Sequence, residues 1–196
     1  MSEIQTFPGA FVWTRLVPGH EEINSRMLSL IKEKASKNED NTLYRWGDGH
    51  ERGPITNYWD VSYGSSFQPD DIQQIAIDSL SELISTHSEY SWPIEFSLHS
   101  MWWNRYPPGT TAPPHVHGSV SLSGVYILEQ DEDCPLTFKY QNHYPLNPQD
   151  AGVSYKVEAR AGTCIMFPSA LLHWVKPTKA WRTTISFNFS ASNASP

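Results

Sequence analysis

Arg182-Thr183-Thr184-Ile185-Ser186-Phe187-Asn188-Phe189 is the stretch that decides how the chain folds. Polar and apolar residues alternate along it, and in an extended strand successive side chains point to opposite faces. Arg182, Thr184, Ser186 and Asn188 therefore share one face, and Thr183, Ile185, Phe187 and Phe189 share the other. If helices cover the apolar face, the polar face lines the inside of a barrel. An inward-facing arginine must be answered by an anion, because taking its charge out of water costs on the order of several kcal/mol. A guanidinium holds a carboxylate through two parallel hydrogen bonds, so the expected guest carries a carboxylate, with a hydroxyl from Thr184 or Ser186 beside it.

Working outward, period-two patterning begins at Ile94 and is broken by Pro and Gly clusters. It gives strand candidates at 94–106, 115–116 continuing toward Gly118, 119–129, 136–140, 154–158, 163–167, 173–175 and 182–189. Seven or eight short strands at this spacing predict a jelly roll, or double-stranded β-helix, of cupin-like form. Two amphipathic helices precede it. In 21–37, Ile23, Met27, Leu30 and Ile31 form one stripe. The second opens at Pro69, Asp70 and Asp71 and runs to about Thr86, with Ile72, Ala76, Leu80 and Leu83 as its apolar face. Each helix has one apolar side and should pack on one sheet of the barrel. Residues 38–67 read as short strands and loops. The expectation is a mainly β, α+β chain forming one domain over 1–196, with a helical and loop support region at 1–93, a core at 94–190 and a frayed tail from Ser190.

The chemistry concentrates in Pro113-Pro-His115-Val-His117-Gly118, with His173 following 56 residues after His117 and Arg182 nine residues later. If His115 and His117 lie on one strand, their imidazoles share a face while Val116 points away, which is a chelating geometry. His173 from a distant strand would complete three nitrogen ligands for iron, zinc, copper or nickel and leave the opposite side open. His20, His50, His87 and His99 read as ordinary structural or surface residues. His143, in the polar loop 141–152, is a candidate substrate contact. Trp102, Trp103 and Trp174 suit packing, with Trp102 and Trp174 also candidates for the pocket wall.

The chain has 196 residues, with 14 Lys plus Arg against 21 Asp plus Glu, a net charge of −7 that disfavours a nucleic-acid partner. Eight tryptophans and 15 prolines suit a loop-rich β protein with an aromatic-lined cavity. Two cysteines need no disulfide framework. No basic leader and no long apolar run is visible, so the expectation is a soluble cytoplasmic protein with no membrane partner.

Asn104 to His117, with its Tyr106 and Gly109 ahead of the histidine pair, resembles the start of the 2-oxoglutarate and Fe(II)-dependent oxygenase core, as in prolyl hydroxylases. Gly162 to His173 followed by Arg182 to Asn188 resembles its second half. Most similar is a bacterial and phage oxygenase family whose signature combines His-x-His, Leu-Ser-Gly-Val-Tyr (Leu122 to Tyr126), Phe-Pro-Ser (Phe167 to Ser169) and a terminal Phe-Asn (Phe187-Asn188). The similarity covers roughly 96–189.

The resemblance implies iron ligands at His115 and His173, and a 2-oxoglutarate carboxylate on Arg182 with Thr184, Tyr106 and Asn104 nearby. It also implies oxidative decarboxylation to succinate and CO2, coupled to hydroxylation of a small molecule or peptide side chain by O2. One departure stands out: His117 occupies the place where the wider superfamily has Asp or Glu, so the triad would be three neutral nitrogens. Ile127 stands where related sequences often carry a second Tyr. Two other classes compete. One is a three-histidine, cupin-like dioxygenase without 2-oxoglutarate, in which Arg182 would clamp the substrate's own carboxylate. The other is a noncatalytic binding module.

Overall fold

In the computed structural model, residues 2–7, 10–37, 45–46, 51–58, 67–86, 94–130, 136–140 and 152–193 are described. In chain order the elements are β1 (Ser2–Phe7), β2 (Ala10–Leu16), α1 (His20–Lys37), β3 (Arg45–Trp46), β4 (Glu51–Arg52), β5 (Ile55–Thr56) and α2 (Asp70–Thr86). They continue with β6 (Ile94–Tyr106), β7 (Ala112–His115), β8 (Leu122–Glu129), β9 (Leu136–Tyr140), β10 (Val153–Val157), β11 (Thr163–Pro168), β12 (Leu172–Val175) and β13 (Arg182–Asn193). A seven-stranded sheet runs β1-β2-β11-β8-β13-β6-β5, and a four-stranded sheet runs β10-β9-β12-β7. From β6 to β13 the chain crosses from one sheet to the other at every connection except β9–β10, and that alternation makes the double-stranded β-helix.

Alternation sorts the strands of the larger sheet into two layers. Tyr126, Leu128, Cys164, Met166, Ile185, Phe187 and Phe189 pack outward against Met27 and Ile31 of α1 and Ile72, Ala76, Leu80 and Leu83 of α2. Val125, Ile127, Ile165 and Phe167 pack inward with Leu136, Phe138 and Val175 of the smaller sheet. Both helices are therefore on one sheet, as their single apolar faces require. Asn24 pins α1 there: its Nδ2 donates to Leu128 O (3.0 Å), and its Oδ1 accepts from the Tyr126 hydroxyl (2.7 Å). An Arg26–Asp71 ion pair ties α1 to α2. Cys164 is buried as a free thiol. No helix among the described residues is long and apolar enough to cross a membrane.

Three expectations are corrected. The N-terminal region is not only helical and loop: β1 and β2 extend the larger sheet through β11. Ala10-Phe-Val-Trp13 is a continuous apolar run with no period of two, so pattern alone could not assign it. The strand placed at 115–118 ends at His115 and begins at Ala112 instead. β7 is the edge of its sheet, where Pro113 and Pro114 are tolerated despite lacking a donor. The tail is not frayed from Ser190, since 190–193 pair with 94–97 of β6. Elsewhere, β8 starts at Leu122 and the other boundaries shift by a residue or two.

Candidate metal centre

β12 and β7 pair so that His173 stands directly opposite His115, which brings two imidazoles from distant sequence to 4.2 Å between ring centroids. His117 lies in the loop after β7, so the shared-face strand argument does not place it. A backbone hydrogen bond does: His117 N–H donates to Ser169 O at 2.9 Å. Its ring lies 5.3 Å from His115 and 5.2 Å from His173, stacked on the latter at 9°. One ligating nitrogen from each of the three falls within 4.8 Å of the others.

The donor set fits a cation. His115 Nδ1 approaches Pro113 O at 2.7 Å, and His173 Nδ1 approaches Leu171 O at 2.8 Å. A carbonyl can only accept, so each proton sits on Nδ1 and each Nε2 keeps its lone pair for a metal. Burial lowers all three pKa values: His115 is lowered against the pull of its Pro113 hydrogen bond, His117 falls to about 4 and His173 to about 3, the latter two also repelled by His115. The rings are neutral at physiological pH, which is the ligating form. His117 has no ring hydrogen bond among the described residues and is oriented only by stacking on His173 and by Trp102, 5.9 Å away.

The imidazoles open into a cavity of about 590 Å³ between the two sheets. The inward faces of β6 and β13 form a ladder along it, pairing Tyr106 with Arg182, Asn104 with Thr184, Trp102 with Ser186 and Ser100 with Asn188. All eight line the cavity. Arg182 is 2% exposed. Its Nε donates to Gln130 Oε1 at 3.0 Å, and its guanidinium lies 5.1 Å from the Tyr106 ring centroid. Its terminal amino groups have no acceptor among the described residues, and no ion pair with Glu95 forms; Asp60 lies outside those residues. Among the described residues, the inside of the barrel thus holds a guanidinium whose two terminal amino groups are unanswered, an arrangement that suits a carboxylate.

Among the candidates named from sequence, His115, His117, His173, Tyr106, Asn104, Thr184, Arg182, Trp102 and Trp174 all line this one cavity. His143, His50 and His87 lie outside the described residues. Trp103 packs under the helices, as expected of a core tryptophan, and Ile127 is fully buried away from the cavity wall. His99, read as an ordinary residue, is on the cavity lining, as are Tyr58 and Ser100. Gln130, which steadies Arg182, was not found from sequence; a glutamine just after a strand carries no pattern that marks it.

A family model described as "Putative 2OG-Fe(II) oxygenase" matches residues 100–189, the stretch holding all three histidines and Arg182. Over those residues the chain is similar to that family. Among solved structures it is similar to a prolyl-4-hydroxylase from Pseudomonas putida (17% identity, 91% of each chain covered, TM-score 0.62). A prolyl hydroxylase from Trichoplax adhaerens, in complex with a hypoxia inducible factor peptide fragment, is also similar (14% identity, 91% of this chain and 83% of that one, TM-score 0.57). So is the epimerase SnoN, in complex with Fe3+, alpha ketoglutarate and nogalamycin RO (16% identity, 95% and 82%, TM-score 0.53). At these identities the likeness is one of fold. No curated protein matches the chain.

Proposed function

We propose that this chain is a 2OG-Fe(II) oxygenase that hydroxylates a C–H bond of a small molecule or peptide side chain, with His115, His117 and His173 holding Fe(II) and Arg182 gripping the far carboxylate of 2-oxoglutarate. The observation that carries the reading is the shared cavity: three neutral imidazoles on its wall and, within it, a buried guanidinium without an acid partner among the described residues. Bound Fe(II) and 2-oxoglutarate supply O2 activation, in which 2-oxoglutarate is converted to succinate and CO2 and one oxygen atom enters the substrate.

The protein's own groups bind, orient and shield. Gln130 and the Tyr106 ring hold the guanidinium with its terminal amino groups toward the cavity. Thr184, one rung along, offers a hydroxyl beside that carboxylate. Pro113 and Leu171 carbonyls fix the tautomers of His115 and His173. Phe167, 4.7 Å from the His173 ring, and Phe138, at 6.0 Å, keep the back of the centre dry.

Replacing Arg182 with Lys tests the reading, because a point charge cannot reproduce the two-pronged contact. Loss of charge-assisted hydrogen bonds worth about 1.5–3 kcal/mol should weaken 2-oxoglutarate binding roughly 10- to 100-fold. The readout is titration of the anaerobic Fe(II) protein with 2-oxoglutarate, followed by visible absorbance. Unchanged affinity would remove Arg182 from the assigned role.

A further inference from the structure

Three of the short motifs in the sequence meet at a place that neither the metal ligands nor the Arg182 carboxylate site uses. Ser123 of Leu-Ser-Gly, Ser169 of Phe-Pro-Ser and Asn188 of Phe-Asn form one buried chain of hydrogen bonds: Ser123 Oγ donates to Asn188 Oδ1 at 2.8 Å and lies 2.9 Å from Ser169 Oγ. Asn188 Nδ2 in turn donates to Ser100 Oγ at 3.2 Å. This rung lies three rungs from Arg182, on the order of 20 Å along the strands at about 3.4 Å per residue. A five-carbon diacid held by Arg182 spans less than half of that.

Donor counting gives the rung a polarity. The Ser123 hydroxyl proton is committed to Asn188, so Ser169 donates to Ser123. Among the described residues, Asn188 spends one N–H on Ser100 and keeps the second, while Ser100 accepts that bond and keeps its own O–H. Ser100, Ser123 and Asn188 all line the cavity, so its spare groups there are donors that call for an oxygen acceptor. One rung nearer the imidazoles lies Trp102, with Tyr58 set against it at 5.1 Å and 69° and His117 at 5.9 Å. Among the described lining residues, Arg182 is the only permanently charged one. Once 2-oxoglutarate answers it, the described lining that remains is aromatic, apolar, imidazole, hydroxyl and amide surface, with no fixed charge among those residues to repay the desolvation of a charged substrate group.

We propose that Ser100 and Asn188, braced by Ser123 and Ser169, form the substrate-recognition subsite, and that it takes an uncharged, carbonyl-bearing molecule whose aliphatic part packs on Trp102 beside the metal centre. This rests on the proposed function and narrows its substrate class. A purely structural role, steadying the loop of His117 through Ser169 O, accounts for the Ser123–Ser169 pair. It leaves unexplained why Ser100 and Asn188, each with a donor unspent among the described residues, line the cavity.

The test uses the full chain loaded with Zn(II) and 2-oxoglutarate, so that no turnover occurs, and saturation-transfer NMR with tryptophan-fluorescence titration as readouts. The probes are neutral N-acetyl-leucinamide and N-acetyl-prolinamide, cationic N-acetyl-lysinamide, and free leucine. The neutral amides are expected to bind at least tenfold more tightly than the charged probes. Asn188→Leu should abolish that preference, and the less buried Ser100→Ala should weaken neutral-amide binding several-fold with an unchanged melting temperature. Ser100→Ala carries the test if the Asn188 variant does not fold. Equal binding of charged and neutral probes, no binding of either neutral amide, or neutral-amide binding untouched by Ser100→Ala would each overturn the subsite. Failure of wild-type protein to bind 2-oxoglutarate would instead overturn the function on which it rests.

Discussion

The three histidines are chemically unequal, although the sequence writes them identically. His115 and His173 each carry a backbone acceptor two residues upstream that fixes the tautomer, whereas among the described residues His117 is held by its main chain and by stacking alone. A metal held by all three would therefore have to freeze the His117 ring at its own entropic cost, with the other two already set. Replacing His173 with Ala should lower Co(II) affinity by about a hundredfold or more, and replacing His117 with Ala by only about tenfold. Replacing His117 with Asp, which returns an anion to the centre, should keep or raise the affinity. Titrating the anaerobic protein with Co(II) and following its visible bands checks all three; spectra and stoichiometry indifferent to every change at His117 would show that it is not a ligand. That His117 converges on the others was foreseeable from His-x-His, but by the wrong route: the strand stops at His115, and Ser169 O does the placing.

At the level of elements, the site depends on how closely β8 and β13 approach under the helices. Gly124 lies opposite Phe187, and a Cβ built at Gly124 runs into the Phe187 ring. Phe187 is fully buried against the helix layer and cannot retreat without disturbing Phe189, 5.9 Å away. Gly124→Ala should therefore destabilise the fold by about 1–3 kcal/mol through overpacking. Urea unfolding should show a lower midpoint with an unchanged slope. Because Ser123 and Val125 flank this glycine on the cavity side, 2-oxoglutarate or metal affinity should fall with it if the strain passes through the sheet. The elements themselves were largely readable: α2 and the strands from β8 onward match their periodicity. The β1–β2 hairpin was not, because an unbroken apolar run carries no period to distinguish a strand from a helix.

For the whole molecule, the histidine cluster couples folding to pH and, on the proposed reading, to a metal. All three histidines have folded pKa values below the ordinary 6.5, with His117 near 4 and His173 near 3, for want of solvation of the charged form. A depressed pKa means that the unfolded chain takes up protons first. Stability is therefore intact above pH 6.5, and the metal-free protein loses it progressively as pH falls from there toward 4 and below. Urea midpoints of metal-free protein at pH 7.5 and 5.5 should show the loss, and the triple His→Ala variant should show less of it. Conversely, Zn(II) at a hundred times its dissociation constant should stabilise the native state by about 2.7 kcal/mol, read as a rise in melting temperature. That gain should shrink at pH 5.5, where protons compete for the same nitrogens.

By itself the sequence determined the kinds of group present and the local geometry each could adopt. Strict alternation in 182–189 put Arg182, Thr184, Ser186 and Asn188 on one face, because a strand's side-chain period is two whatever lies around it. The apolar stripes of the two helices fixed which sides would be buried. Only the tertiary structure decided what those faces meet: that His173 stands opposite His115 across two strands, that Gln130 steadies Arg182, and that Ser123, Ser169 and Asn188 join into one hydrogen-bonded chain. Such pairings depend on the register of strands far apart in sequence. Register comes from how whole sheets close on one another, which no local stretch encodes.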